Sequence, residues 1–228
     1  MRAGSVMVIA LLLAAGVSSP VAAAQSPRMI LALGNAGFLN PADIQAATGA
    51  EVKQDMGRSE LKDFAVVLLA DIAYAALPAS VQQGLVQYVN DGGAVLITGG
   101  AQSFGSGGYQ AAASILPFQI RSQNDWRAVP FRSPVPLQPD HPILAGVSFI
   151  PVGPRNDMNP RPGATEILRA AGGHGTFPSP LIAEMLSGAG RVMGIAFDLN
   201  EFAGMRDRDL FVRNTIAYLL GASRIPAR

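Results

Sequence analysis

Continuous apolar runs are the feature of this sequence that most restricts its fold. The run Phe64–Ala70 (FAVVLLA) contains no polar residue, Met29–Leu33 (MILAL) has none either, and Ala94–Thr98 (AVLIT) has one. A strand that is apolar at every position is buried on both faces, which is typical of a parallel sheet covered by helices on both sides. The sequence therefore predicts an α/β protein with a mostly parallel sheet.

The segments between the apolar runs have helical spacing. Within Pro78–Asn90, apolar residues recur every four positions at Val81, Leu85 and Val89, and Asp91-Gly92-Gly93 follows as a helix end. A strand, a helix and a strand in this order form the crossover unit of a doubly wound fold. The other predicted elements are helices over Pro41–Thr48 and Asp207–Leu220, and strands from Val52 and over Glu166–Ala170, Leu181–Leu186 and Arg191–Phe197.

The middle of the chain, Phe118–Pro162, is rich in proline. Proline interrupts regular sheets, so we predict a long excursion with short β pieces, among them possible strands at 127–131 and 147–150. The polar cluster in this excursion is predicted to be solvated and consists of Arg155, Asn156, Asp157 and Asn159.

Residues 1–24 have the layout of a secretory signal peptide. Arg2 is followed by the apolar run Val6–Val17, and Ala22-Ala23-Ala24 precedes Gln25. Small residues at this distance from an apolar run are typical of a cleavage site, predicted after Ala24, and the run is short for a membrane anchor. We therefore predict a single domain over 25–228, periplasmic or secreted, with no transmembrane anchor after cleavage.

Charge and cysteine content exclude several classes of function. The chain has 17 Lys and Arg against 16 Asp and Glu, and Arg2 is the one charged residue before Gln25, so the predicted mature chain is neutral. A neutral chain with scattered charges gives no case for binding nucleic acid or an anionic membrane. The chain has no cysteine, which excludes disulfides and thiol chemistry. Its two histidines lack the ligand spacing of a metal site, and no cofactor is predicted.

The glycine-rich stretch Gly92–Tyr109 (GGAVLITGGAQSFGSGGY) is the main candidate for a functional site, because a strand that ends in glycines is where α/β proteins hold phosphates or a nucleophile. A phosphate cradle is disfavoured, since the Walker sequence with its lysine is absent and the glycines do not have the G-x-G-x-x-G spacing.

A serine nucleophile is the second hypothesis. Ser103 lies in Ala-Gln-Ser-Phe-Gly, which is close to the G-x-S-x-G elbow of hydrolases, but the two glycines occupy the turn itself. The base would be His141 or His174, with Asp140 or Asp198 to orient it. A loop serine that bonds to the local backbone is the commoner arrangement.

A third hypothesis rests on four segments in order. These are residues 88–109 with the preceding helix, ILPF at 115–118, HPIL at 141–144, and GRVMGIAFDLN at 190–200 before a closing helix. Together they resemble the glutamine-amidotransferase-like family, the class I amidotransferase fold as it appears in exported bacterial proteins. The resemblance covers nearly all of the predicted mature chain and implies a three-layer, flavodoxin-like α/β domain.

Active class I amidotransferases carry a cysteine in an elbow after such a strand, with a downstream His-Glu pair. Here Thr98-Gly99-Gly100-Ala101 stands in place of the elbow, and His141-Pro142-Ile143 lies too early and lacks the acid. The resemblance therefore implies the fold without thiol-based glutamine hydrolysis, a degenerate and non-catalytic binding module.

Such a module is predicted to bind a small polar ligand or a protein partner in the cell envelope. Backbone amides at a strand-to-loop turn bind anionic or carbonyl oxygens, so the predicted ligand-binding residues are Gly99, Gly100, Ala101, Gln102 and Ser103. Asp198 and Glu201 follow the last predicted strand and either orient a polar ligand or cap the next turn.

Overall fold

The computed structural model describes residues 28–130, 133–148, 153–171, 179–202 and 207–225. In these ranges it has three α-helices, α1 (Pro41–Thr48), α2 (Ala79–Asn90) and α3 (Arg208–Ala222). The first half of the chain supplies strands β1 (Met29–Gly34), β2 (Glu51–Lys53), β3 (Phe64–Ala70) and β4 (Ala94–Thr98). Eight more strands follow: β5 (Phe118–Ile120), β6 (Trp126–Arg127), β7 (Pro134–Pro136), β8 (Arg155–Asn156), β9 (Met158–Pro160), β10 (Thr165–Ala170), β11 (Pro180–Ser187) and β12 (Gly190–Ile195).

Short 3₁₀-helices connect several of these elements, at Leu61–Asp63, Tyr74–Ala76, Tyr109–Ile115, Pro142–Leu144 and Leu199–Phe202.

Eight strands form one sheet in the order β2-β1-β3-β4-β12-β11-β10-β7. The first five are mutually parallel, and β11, β10 and β7 extend the sheet in antiparallel pairings. Two further ribbons of two strands each, β5–β9 and β6–β8, lie outside this sheet. The prediction of an α/β protein with a large, mostly parallel sheet is confirmed.

Helices cover both faces of the sheet. Residues of α1 and α3, such as Ile44 and Phe211, belong to a buried apolar cluster on one face. Residues of α2 and of the 3₁₀-helix Tyr109–Ile115, such as Leu85, belong to a second cluster on the other face. Every residue of β3 is buried between the two, which explains why its sequence has no polar position.

Local signals set the ends of α1. The Asn40 side chain accepts a hydrogen bond from Ala42 N at 3.1 Å, and Gly49 ends the helix in the left-handed region at φ 70°. An N-terminal asparagine cap and a glycine at the C-terminus are the usual signals for these positions.

Most predicted boundaries agree with the structure to within two residues, and the exceptions lie in the proline-rich segment. Of the strand predicted over 127–131, Arg127 belongs to β6 and residues 128–130 lie outside any strand, where Pro130 has no N–H for a ladder; residue 131 lies outside the described ranges. In the strand predicted over 147–150, Val147 and Ser148 are outside any strand and the remaining two residues lie outside the described ranges. Residues 1–24, the predicted signal peptide, also lie outside them.

The outer edge of β7 presents prolines. Leu137 N donates to Ile167 O at 2.9 Å, so the N–H of residue 137 faces β10. Backbone N–H groups alternate in direction along a strand, which turns positions 134 and 136 away from β10. Both are prolines and have no N–H, so this edge of the sheet lacks the donors that an added strand would need.

Among the described helices, none combines the length and the apolarity that crossing a bilayer requires.

Candidate functional site

The turn after β4 lies at the carboxyl end of the parallel strands and has no room for side chains. A Cβ on Gly99 would be 2.4 Å from the carbonyl carbon of Ala196, and a Cβ on Gly100 would be 2.0 Å from Asp71 Oδ1. Gly100 also has φ +147°, which side chains rarely tolerate. The turn therefore packs directly against the backbone at the end of β12 and against the Asp71 side chain that follows β3.

Several amides of this turn already donate to protein acceptors. Gly99 N donates to Phe197 O at 3.1 Å, Gly100 N to Asn156 Oδ1 at 3.0 Å, and Gln102 N to Asp71 Oδ1 at 2.7 Å. From sequence, the residues that carry these amides were predicted to bind a ligand. In the structure they hold the turn in place, so an anion would have to displace protein acceptors to reach them.

A buried pair of side chains, Asp125 and Asn156, fixes the rest of the glycine-rich loop. Asp125 Oδ2 accepts from Gly105 N at 2.9 Å, and Oδ1 accepts from Ser106 N at 3.0 Å and from Asn156 Nδ2 at 2.9 Å. Asn156 Nδ2 also donates to Gly100 O at 3.2 Å. Asp125 and Asn156 are both 0% exposed. The loop is therefore a rigid unit held from beneath by one carboxylate and one amide.

Two members of the predicted solvated cluster are thus misplaced by the sequence analysis. Asn156 is buried under the glycine loop, and Arg155 is 6% exposed. The cause is β8, which pairs with β6 and whose Asn156 N donates to Ala196 O at 2.7 Å. This contact draws two polar side chains under the loops at the sheet edge.

Ser103 is also buried. Its side chain is 0% exposed, and Oγ donates to Thr98 O at 2.6 Å. This is the local backbone bond that the sequence analysis set against a nucleophile. A nucleophilic serine needs an open face towards substrate and a base that accepts its proton, and the Ser103 hydroxyl proton is directed at a carbonyl.

His141 belongs to a different group of side chains. Its Nδ1 accepts from Ile143 N at 3.4 Å, its Nε2 is 3.8 Å from Glu184 Oε1, and its ring centroid is 4.8 Å from that of Tyr218. Glu184 in turn forms an ion pair with Arg191. Burial lowers the pKa of His141, as does the Arg191 charge, against the opposing effect of Glu184.

The two members of the proposed triad belong to different parts of the fold. His141 lies beside Glu184 of β11 and Tyr218 of α3, whereas the Ser103 hydroxyl is bonded to Thr98 O at the end of β4. The structure therefore does not bring His141 to Ser103. Asp140 is exposed, and His174 lies outside the described residues.

Carboxylates gather where the neighbouring strands end. Asp71 follows β3, and Asp198 and Glu201 follow β12, on either side of the turn after β4. Burial raises the pKa of Asp198, and the nearby Asp71 charge raises it further against the bonds from Asn200. Burial also raises the pKa of Glu201, followed by the charges of Asp198 and Asp71. The three carboxylates therefore act on each other electrostatically and disfavour an anion at this edge.

Asp198 caps the turn that follows β12, which is one of the two alternative roles predicted for it. Its Oδ1 accepts from Asn200 N at 2.8 Å and from Asn200 Nδ2 at 2.9 Å, which caps the turn. Asn200 Nδ2 also donates to Asn35 O at 2.7 Å and so joins the end of β1 to that of β12. In the described part of the chain, no three His, Asp or Glu side chains are arranged to hold a metal ion.

Asp71 is the member of this edge that sequence reasoning missed. It follows the predicted strand β3 directly, and an acid at that position is a signal that was available, because the carboxyl ends of parallel strands meet at one edge. Its backbone has φ 38°, in the left-handed region that aspartate tolerates better than most residues. This conformation accompanies the approach of its carboxylate to Gly100.

No protein-family model matches the chain, and no curated protein is significantly similar to it in sequence. Solved structures do share its fold. A cytoplasmic protein from Salmonella typhimurium LT2, STM1381, matches with a TM-score of 0.68 and 15% identity over 86% of this chain and 100% of that chain. A ThuA-like protein from Bacteroides uniformis ATCC 8492 matches with a TM-score of 0.63 and 11% identity over 92% of this chain and 98% of that chain.

A β-galactosidase from Bacillus circulans sp. alkalophilus contains a similar unit, with a TM-score of 0.60 and 13% identity over 86% of this chain and 31% of that chain. The chain thus has the glutamine-amidotransferase-like fold of ThuA-like proteins. At these identities the similarity concerns the fold alone, because one fold supports many functions.

Proposed function

We propose that this chain is an exported, non-catalytic binding module with a degenerate glutamine-amidotransferase-like fold, and that it binds a small polar ligand at the carboxyl edge of its sheet. The observation that carries the proposal is the turn Gly99-Gly100, where a Cβ would meet Ala196 or Asp71 at 2.4 Å or less. A turn without room for a side chain cannot present a nucleophile, and the chain has no cysteine for thiol chemistry.

The ligand that this edge favours carries hydrogen-bond donors. Asp71, Asp198 and Glu201 supply acceptor oxygens, whereas the amides of Gly99, Gly100 and Gln102 already donate within the protein. Hydroxyl and ammonium groups can donate hydrogen bonds to these three carboxylates, which form an acidic rim and repel anionic groups. This refines the prediction from sequence, in which the backbone amides would have bound an oxygen acceptor.

The test is the change in melting temperature of the mature domain with neutral monosaccharides (glucose, galactose, mannose) and with ethanolamine, compared with sodium sulfate. A ligand held by the native state raises the melting temperature by mass action. We expect at least one hydroxyl or ammonium probe to raise it and sulfate to have no specific effect.

Asp198→Asn tests the position of this site. The variant keeps an oxygen that accepts from Asn200 N and removes the charge, so we expect a folded protein with a reduced response to the probe. Asp91→Asn is the matched control, since Asp91 is exposed at the end of α2, on the opposite edge of the sheet. A response that is unchanged in Asp198→Asn, or a larger response to sulfate than to every other probe, would contradict the proposal.

The alternative function, a serine hydrolase using Ser103, has its own test. A fluorophosphonate probe is expected to leave Ser103 unlabelled in the folded protein, because the side chain is 0% exposed and its hydroxyl donates to Thr98 O. Labelling that disappears in Ser103→Ala and persists in Ser106→Ala would establish the hydrolase instead.

Export is tested by expressing residues 1–228 in a Gram-negative host and fractionating the cells. We expect protein outside the cytoplasm with a new N-terminus at Gln25, as the alanines before it predict. Full-length protein retained in the cytoplasm would remove the localisation from the proposal and leave the binding site untouched.

A further inference from the structure

Arg155, in β8, is a buried cation with one protein partner in the described part of the chain. It is 6% exposed, and its Nε donates to Ser179 Oγ at 2.9 Å. No carboxylate or carbonyl of the described residues bonds to its two Nη nitrogens. Arginine remains charged in proteins, and a buried charge is normally paired. The four N–H donors on its Nη nitrogens therefore have no acceptor within the described residues.

Asp157, the carboxylate whose charge acts on Arg155, is not bonded to it in the described part of the chain. Asp157 influences Arg155 through its charge, but its Oδ1 accepts from Arg121, with which it forms an exposed ion pair. Burial is the larger effect and lowers the pKa of Arg155. The charge of Arg155 is thus less stabilised than that of an ordinary surface arginine.

A second arginine lies directly across the ribbon. In the antiparallel pair β6–β8, Arg127 is the partner of Arg155. Residues directly opposite in such a pair have their side chains on the same face of the ribbon. Arg127 is exposed, so it is a second cation on the face to which Arg155 belongs.

The position of Arg155 is rigid and keeps contact with solvent. Ser179 is 1% exposed, and its carbonyl accepts from Ala170 N at 2.9 Å, which fixes the hydroxyl that orients the guanidinium. Buried nitrogens without a partner occur at Arg28 Nε and Arg191 Nε, but the Nη nitrogens of Arg155 are not among them. They have no partner among the described residues, and the side chain keeps 6% of its surface exposed.

We infer that Arg155, oriented by Ser179 and facing the same side as Arg127, binds the carboxylate group of a small molecule. A guanidinium presents two parallel N–H groups that match the two oxygens of a carboxylate. One buried positive charge balances one negative charge, whereas a phosphate dianion would leave an excess negative charge in a nearly enclosed site. This site is distinct from the acidic rim of Asp71, Asp198 and Glu201, and the inference does not depend on the proposed function.

The test uses sodium acetate as the probe and the mature wild-type protein. The Nε–H signal of Arg155, identified by its loss in Arg155→Met, is followed by ¹H–¹⁵N NMR during titration with acetate, with sodium chloride at equal ionic strength for comparison. We expect a saturable shift with acetate and none with chloride. In parallel, acetate is expected to raise the melting temperature of the wild type and not that of Arg155→Met.

Matched variants separate binding from folding. Arg213→Met removes the same charge from an exposed position on α3 and is expected to keep the full response to acetate. Arg155→Lys keeps the charge without the planar fork, so we expect weaker binding of acetate by at least severalfold even if Arg155→Met fails to fold.

Three outcomes would overturn the inference. The first is an acetate response no larger than that of chloride, and the second is equal binding of acetate by wild type and Arg155→Lys. The third is a saturable response to inorganic phosphate with none to acetate, which would show an anion site of a different class.

Discussion

At the scale of single residues, strained backbone surrounds the glycine turn. Asp71 and Phe104 are the described residues other than glycine with positive φ, at 38° and 48°. Phe104 is fully buried, and such a conformation is unusual for a bulky residue. Each costs on the order of 1–3 kcal/mol, which the surrounding structure must offset. The buried Asp125–Asn156 pair is the structure that holds this loop.

Gly100→Ala is expected to destabilise the domain by more than about 3 kcal/mol, because the new Cβ adds a clash with Asp71 to the cost of a left-handed backbone. Gly108→Ala is the control, since Gly108 has φ +78° with nothing within 4 Å of a Cβ, and we expect a loss of about 1 kcal/mol. Urea denaturation of both variants measures the difference. Equal losses would mean that the contact with Asp71 relaxes freely.

Asp125→Asn is expected to cost about 2–3 kcal/mol, because the amide replaces an acceptor oxygen with a donor that faces other donors. The exposed Asp91→Asn should change the free energy of unfolding by less than about 0.5 kcal/mol. Thermal or urea unfolding distinguishes the two. A loss as small as that of the control would show that the loop does not depend on this carboxylate.

The sequence was informative about residues next to apolar runs and uninformative about this buried pair. Gly99 and Gly100 could be placed at a strand end because β4 is recognisable. Asp125 and Asn156 are separated by 31 positions and lie in short irregular segments, so no periodicity connects them. Only the fold shows that they meet.

At the scale of elements, His141 joins a 3₁₀-helix to the sheet and to α3. Its Nδ1 accepts from Ile143 N at the start of Pro142–Leu144, and the neighbouring Asn214 of α3 donates to Ala145 O at 2.9 Å. The titratable groups that face its ring are Glu184, Arg191 and Tyr218. Protonation of Nδ1 would remove the acceptor that caps this helix.

The free energy of unfolding is therefore expected to decrease as the pH falls, and His141 contributes to this decrease. Burial lowers the pKa of His141 in the folded state below the value near 6.5 of an unfolded histidine. The unfolded chain then takes up the proton first, so this contribution is complete above about pH 6.5 and is lost as the pH falls through the lower folded pKa.

His141→Asn keeps an N-cap acceptor without titrating. We expect its melting temperature to fall less than that of the wild type between about pH 7 and pH 5. Because His174 is present in both proteins, its titration cancels in the comparison. Parallel pH profiles would contradict the role given to His141.

Element boundaries were predictable where one chemical signal was continuous. The apolar runs of β3 and β4 and the four-residue spacing in α2 gave bounds that agree closely with the structure. The ribbons β5–β9 and β6–β8 have strands of two or three residues, which is too short for a recognisable period, and their pairing depends on distant contacts.

At the scale of the whole molecule, the sheet combines a half with parallel pairings and a half with antiparallel pairings. Its parallel half, β2 to β12, has the glycine turn and the acidic rim at one edge, and its antiparallel half ends at β7. The class of fold followed from the apolar runs and the crossover pattern. The strand order did not, because apolar strands of similar composition can exchange positions without changing the sequence pattern.

Replacing Pro134 and Pro136 together by threonine would supply the outer edge of β7 with two N–H groups. We expect the variant to self-associate at concentrations where the wild type remains monodisperse, because an unpaired edge recruits other strands. Light scattering during concentration measures this. The control is Pro139→Thr, outside the strand, and equal behaviour of the two variants would show that the prolines do not protect the edge.

The position of β12 has a consequence for the order of events during synthesis. This strand spans Gly190–Ile195 and lies between β4 and β11, so the middle of the sheet is completed only after all the other strands have been synthesised. A nascent chain that ends before residue 190 has β4 with one side open and cannot bury either apolar cluster completely. The domain can therefore become resistant to proteases only after residue 195 has been synthesised, because both apolar clusters need β12 to be complete.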